Sequence, residues 1–327
     1  MKTSQSELAE IINKKILENF LEYVKLFTPV QSNFLSDIYK RYKCLDSATI
    51  VLFFAKKTHQ SILRKKEYDL NYDLSFEKFW HNHNETNIEN STIIEVAKKT
   101  NLPKETARRK LKELISQKVL GKIKKKIVWL PSDEYKKTYN EVINEEIKQL
   151  AKLTKYVTNK INLNLSTEEI VSEYKKKFSF YWFHYLDLEL KWMKLWKLQV
   201  KDLEIVMIFM QIATLLSSRV DQGVSHNKLF SNPDIIKEPQ KKQLNVSISA
   251  TSLSDITNIP RATCIRKLNQ MASRKMITQD KKTKRYYIIP EVFTKSLVSK
   301  ELTVEVTNLF SKFYFIIIKA LTSKISN

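Results

Sequence analysis

The chain has 327 residues, 43% hydrophobic and 11% aromatic, which excludes a disordered chain and is enough for two cores. Fifty-seven Lys and Arg oppose 35 Asp and Glu, and the formal charge of +22 points to a polyanionic partner, most often nucleic acid. Two glycines leave no glycine-rich phosphate loop, which argues against the common nucleotide-binding enzymes, and two cysteines leave no disulfide framework.

In chain order, residues 6–27 place Leu8, Ile11, Ile12, Ile16, Phe20 and Tyr23 or Val24 on one side of a helix, which Thr28-Pro29 is expected to end. Its start is charged and has no apolar run of the secretory type. A second helix is expected over 32–43. A third starts at Asp46-Ser47, apolar through Phe54 and basic at Arg64, Lys65 and Lys66. Residues 67–90 look irregular. His81 and His83 form an HxH pair there without a third or fourth ligand at metal spacing, so no metal or cofactor is expected.

The segment from Ser91 to Pro131 has a denser pattern. Ile93, Ile94 and Ala97 start a short amphipathic helix, and Thr100-Asn101 breaks it. Pro103 suits the start of the next helix, in which Ala107, Leu111 and Leu114 form one apolar stripe. The opposite face carries Lys104, Thr106, Arg108, Arg109, Lys110 and Lys112. Val119-Leu120 and Ile127 to Leu130 then read as a hairpin with Lys122, Lys124, Lys125 and Lys126 at its tip. The stretch NLPKETARRKLKELISQKVLGKI resembles the recognition helix and wing entry of MarR-like and IclR-like transcriptional regulators, through Pro103, Thr106, Arg109 and Leu111. Asn101 stands where that pattern has a turn glycine. The resemblance covers about forty residues and implies a winged helix, with its second helix in the major groove and its wing on the backbone.

A charged helix is expected from Ser132 to about Lys160, and a helix start at Ser166 or Thr167 with the nearby glutamates. The stretch from Phe178 to Val200 is apolar almost all round and reads as buried, as does Leu203 to Leu216. Such helices also suit self-association or a protein partner. No run is long and apolar enough for a membrane span. Residues 219–245 read as a loop.

A second copy of the motif runs from Val246 to Pro290. Asn258-Ile259-Pro260 repeats Asn101-Leu102-Pro103, and Arg261, Thr263, Arg266 and Lys267 follow as Lys104, Thr106, Arg109 and Lys110 did. Cys264 takes the inward place of Ala107. Its wing carries Lys281, Lys282, Lys284 and Arg285, and a helix over about 297–325 ends the chain. Asp46 to Phe54 also resembles Asp202 to Met210 at nearly the same interval, so a whole unit looks duplicated.

The sequence therefore predicts a mainly α fold with small β wings. Two helical units, 1–160 and 161–327, each hold one winged helix, at about 91–131 and 246–290. The leading expectation is a cytoplasmic, nucleoid-associated regulator that binds specific double-stranded DNA as a covalent pseudo-dimer on two dissimilar half-sites. The alternatives are a plasmid-type replication initiator, a non-specific architectural protein, and a helical interaction scaffold. No catalytic arrangement of side chains stands out.

Overall fold

Helical spacing of apolar residues is realised along most of the chain. The computed structural model describes residues 5–86, 91–124, 126–217, 225–231, 247–287 and 299–323, which hold fourteen helices and two short antiparallel hairpins. None of these helices is long and apolar enough to cross a membrane.

Helix α1 spans Gln5–Glu18 and α2 spans Phe20–Tyr42. The expected stop at Thr28-Pro29 is not a stop, because Pro29 lies inside α2. An interior proline costs about 3 kcal/mol, which the buried face of Phe20, Tyr23, Phe27, Phe34, Leu35 and Ile38 offsets. The break falls instead at Asn19, whose φ of −114° and ψ of 38° leave the helical region and whose side-chain amide donates to the Lys15 carbonyl at 2.9 Å. Helix α3, Leu45–Tyr68, follows Cys44 as its N-cap residue. The stretch expected to be irregular contains a short helix, α4, Phe79–Glu85.

Helices α5 (Ile93–Thr100) and α6 (Lys104–Ser116) follow, then β1 (Leu120–Ile123), β2 (Lys126–Trp129) and α7 (Asp133–Lys160). The Thr92 hydroxyl accepts from the Glu95 N–H to start α5, and Asn101 at φ 54° ends it in the left-handed conformation an amide side chain tolerates. The hairpin pairs Leu120 with Trp129 and Lys122 with Ile127. Ser91 adds a third strand-like contact by exchanging two backbone hydrogen bonds with Ile127, at 2.9 and 3.1 Å. Gly121 is needed for closeness, since a Cβ there would lie 3.0 Å from Leu130 side-chain carbons.

Helix α8, Thr167–Lys176, starts with the expected capping box between Ser166 and Glu169. The aromatic helix α9, Phe178–Val200, buries Phe178, Tyr181, Trp182, Tyr185, Trp192 and Trp196. Helix α10 is Leu203–Ser217, and α11, His226–Ser231, lies in the stretch expected as loop. Then come α12 (Ala250–Thr257), α13 (Arg261–Ser273), β3 (Thr278–Gln279), β4 (Tyr286–Tyr287) and α14 (Lys300–Thr322). Again the residue before the first of these helices caps it, Ser249 accepting from the Ser252 N–H. Again an asparagine ends it, Asn258 at φ 60°, and Ile248 exchanges hydrogen bonds with Tyr286 at 2.8 and 2.9 Å. Of the expected return strand Tyr286 to Ile289, only Tyr286 and Tyr287 are among the described residues.

The chain groups into two compact units. One takes Met1–Lys43, Asn159–Leu163 and Leu195–Phe315. In its core α2 packs along α10, with the Gln211 amide 3.4 Å from the Ser36 hydroxyl. Phe27 meets Phe310 edge to face at 4.7 Å, and the Tyr23 and Tyr314 hydroxyls are 3.2 Å apart. The other unit takes Cys44–Thr158, Asn164–Lys194 and Ile316–Asn327. Its core gathers Phe79, Trp129, Tyr139 and Phe178 around α3, and α9 is tied to α3 by the Lys56–Asp187 ion pair at 2.5 Å.

Candidate nucleic-acid interface

Each compact unit contains one helix–turn–helix followed by a hairpin, and in both the basic side chains are sorted by helical geometry. In α6, Ala107, Leu111 and Leu114 are buried, so Lys104, Glu105, Arg108, Arg109 and Lys112 are exposed and Thr106 is half-buried. In α13, Cys264, Leu268 and Met271 are buried, leaving Arg261, Ala262, Arg266 and Asn269 exposed and Thr263 half-buried. Asn269 is a candidate contact that a search for cations overlooks. Its spacing from Ala262 and Ile265 puts it on the outward stripe.

The two helices differ electrostatically. On α6, Arg108 pairs with Glu105 at 3.0 Å, Lys110 with Glu113 at 2.9 Å, and Arg109 lies 4.0 Å from the same Glu113. The exposed Arg108–Glu105 pair contributes under about 1 kcal/mol and is readily exchanged for a phosphate. Helix α13 contains no carboxylate at all. The Arg261 guanidinium donates to the Thr251 hydroxyl at 3.1 Å, which holds it over the start of α12.

Lys267 corrects an expectation. It is buried, and its ammonium pairs with Asp202 and, at 3.0 Å, with Glu204, both at the start of α10. The reason is periodicity: Cys264, Lys267, Leu268 and Met271 share one inward stripe. Lys267 therefore anchors α13 to α10 and is not available to a ligand. Its counterpart Lys110 is half-buried. Removing the Lys267 charge leaves two carboxylates facing each other. Because both are about a fifth to a quarter exposed, Lys267→Ala is expected to cost roughly 1–3 kcal/mol, below the range for fully buried pairs. Urea unfolding would read this, and an unchanged midpoint would refute it.

In the first hairpin Lys122, Lys124 and Lys126 are exposed, with Lys124 at φ 56°; Lys125 lies outside the described residues. In the second, Lys281, Lys282, Lys284 and Arg285 are exposed. The Asp280 carboxylate accepts from the Thr283 and Lys282 N–H groups at 2.7 and 2.8 Å, which folds the tip and lowers its pKa. Arg285 is fixed at the root, its guanidinium donating to the Ser247 carbonyl at 2.8 Å and hydroxyl at 3.0 Å. The second hairpin thus presents three exposed lysines on a braced turn.

Other candidates have structural roles. Cys264 is fully buried, and burial pushes its thiol pKa up. His83 is buried with Nε2 3.0 Å from the Trp129 carbonyl, whereas His81 faces Glu85 at 3.0 Å, so the HxH pair does not converge. Among the described residues no group of three or more His, Cys, Asp or Glu could hold a metal ion. No protein-family model, curated protein or solved structure matches the chain.

Proposed function

We propose that the chain binds double-stranded DNA through two winged helices and acts as a covalent pseudo-dimer, with sequence-specific transcriptional regulation as its role. The observation that carries this reading is the recurrence of one local architecture, each time with cations on its outward helix and hairpin. Lys43, Asn101, Lys118 and Lys124 take positive φ in the first half of the chain, and Lys201, Asn258, Lys275 and Lys284 do so at matching places in the second. The caps of α5 and α12 and the bridges from Ser91 and Ile248 recur likewise. Random insertion of such conformations would not keep this order, so the recurrence supports a duplication. The caps pair Cys44 with Asp202, a shift from the sequence pairing of Asp46 with Asp202.

Under this duplication α2 and α9 are counterparts, and so are α3 and α10. Yet α2 packs on α10, and α9 meets α3 through the Lys56–Asp187 ion pair and the ring contact of Phe178 with His59. On this reading each repeat's leading helix meets a helix of the other repeat, as partners do in a helix-exchanged dimer.

The outward helices suit the major groove and the hairpin lysines suit phosphates, which fix position and carry the salt dependence. The test is selection from a random duplex pool at moderate salt with the full chain. Two spaced, dissimilar elements are expected; bound DNA without a motif would leave only charge-driven binding. On the selected duplex Arg266→Ala is expected to cost roughly 1–3 kcal/mol and relax selectivity, whereas Lys282→Ala weakens all duplexes alike and lowers the salt slope by about 1. An Arg266→Ala chain with unaltered binding would remove the second winged helix from the interface.

A further inference from the structure

The outward stripe of α6 is Glu105, Arg108, Arg109 and Lys112, spaced so that all four point one way. With Thr106 these side chains surround one shallow depression. Glu105 Oε2 lies 3.0 Å from Arg108 Nη2, and both side chains remain more than half exposed. A hydrogen-bond acceptor and a guanidinium fork thus stand side by side. The corresponding stripe of α13 is Ala262, Ile265, Arg266 and Asn269. Its first two members have no hydrogen-bonding side chain and no charge, and Ala262 is exposed.

These two stripes suit different base edges. In the major groove guanine offers O6 and N7 as acceptors, and its partner cytosine offers the N4 amino group as a donor. An arginine fork and a carboxylate held together match that edge. The carboxylate also penalises wrong placements, since beside a phosphate or an acceptor it is repelled. Ala262 and Ile265 can bond to no base edge, but they can cover the C5 methyl of thymine, and an asparagine one turn further suits the N6 and N7 of adenine. Resting on the DNA-binding reading above, we infer that the two half-sites differ in base chemistry: α6 reads a G·C pair through Arg108 and Glu105, and α13 reads thymine methyls through Ala262 and Ile265.

The experiment uses the full chain and the duplex recovered by selection. Deoxyuridine replaces thymidine in one half-site at a time, which removes methyls and leaves every hydrogen-bonding group in place. Each methyl lost under α13 is expected to weaken binding about fourfold, and the same exchange in the other half-site changes nothing. Glu105→Gln keeps the side-chain shape and removes the charge. It is expected to raise affinity for unrelated duplex several-fold and to reduce, by about fivefold or more, the discrimination against A·T at one base pair. The half-site relaxed by this substitution is the one under α6, which assigns the other to α13. Uridine duplexes that bind like thymidine duplexes, or a Glu105→Gln chain that discriminates as before, overturn the inference while leaving DNA binding intact. A chain that retains no duplex at all overturns the DNA reading itself, and this inference with it.

Discussion

The two halves of the chain are expected to stay together after the backbone between them is cut. A protease site placed at Asn164, in the turn between α7 and α8, divides the molecule into fragments that correspond closely to the sequence halves 1–160 and 161–327. Independent halves would separate. Each compact unit, however, draws on both fragments. One joins α1 and α2 from before the cut to α10–α13 and the first part of α14 from after it, and the other joins α3–α7 to α8 and most of α9. Phe20, Tyr23, Phe27, Phe34, Leu35 and Ile38 of α2 alone are nearly inaccessible, and at roughly 1.5–3 kcal/mol each their burial is on the order of 10 kcal/mol. Dissociation would have to undo this packing and that of α9 as well. The cleaved protein should therefore elute as one 1:1 species in size-exclusion chromatography with light scattering, and fall apart only in denaturant. Two separate species under native conditions would show that packing within the two compact units does not hold the fragments together.

Acid should weaken the unit built around α3. His59 is fully buried, stacked on Phe79 at 4.6 Å and edge-on to Phe178 at 5.2 Å. Neither of its ring nitrogens has a hydrogen-bond partner among the described residues. Burial first, and the nearby His83 second, lower its pKa from 6.5 to about 3. The folded imidazole thus stays neutral where the unfolded chain takes up a proton. Stability is intact above pH 6.5 and is lost progressively as pH falls from 6.5 towards 3. At pH 5 the loss from this one residue is about 2 kcal/mol, since each pH unit below the unfolded value costs about 1.4 kcal/mol. Burial lowers the pKa of His83, His184 and His226 too, which adds in the same direction. His59→Leu, close in volume and unable to titrate, should recover about 2 kcal/mol of the difference between urea midpoints at pH 7 and pH 5. Equal pH dependence in both proteins would rule out His59 as the source.

Local features were legible in the sequence wherever one residue type has one backbone use. Asn101 and Asn258 end their helices, Ser166 with Glu169 starts another, and the aromatic stretch from Phe178 is buried. Pro29 misled because a proline's cost is local while the gain that offsets it comes from the far side of α2, packed on residues nearly two hundred positions away. Lys267 misled for a related reason. Its charge suggested solvent, but its partners Asp202 and Glu204 sit on another helix, and only their proximity makes burial tolerable. That α2 meets α10 and α9 meets α3 leaves no trace in either helix's own pattern, since an apolar face does not say which surface it meets.

On the DNA-binding reading proposed above, packing α2 on α10 has a consequence for dosage. A regulator assembled from two separate chains must first find its partner, and on dilution its occupancy of DNA falls with the square of its concentration. Here the partner helix arrives on the same polypeptide. Occupancy should then fall only in proportion to concentration, and a few molecules per cell would act with the same stoichiometry as many. On the same reading the outward faces of α6 and α13 are also released from having to match, because a change in one is not copied into the other. A chain built this way can keep one head fixed on an invariant element while the other drifts towards new targets.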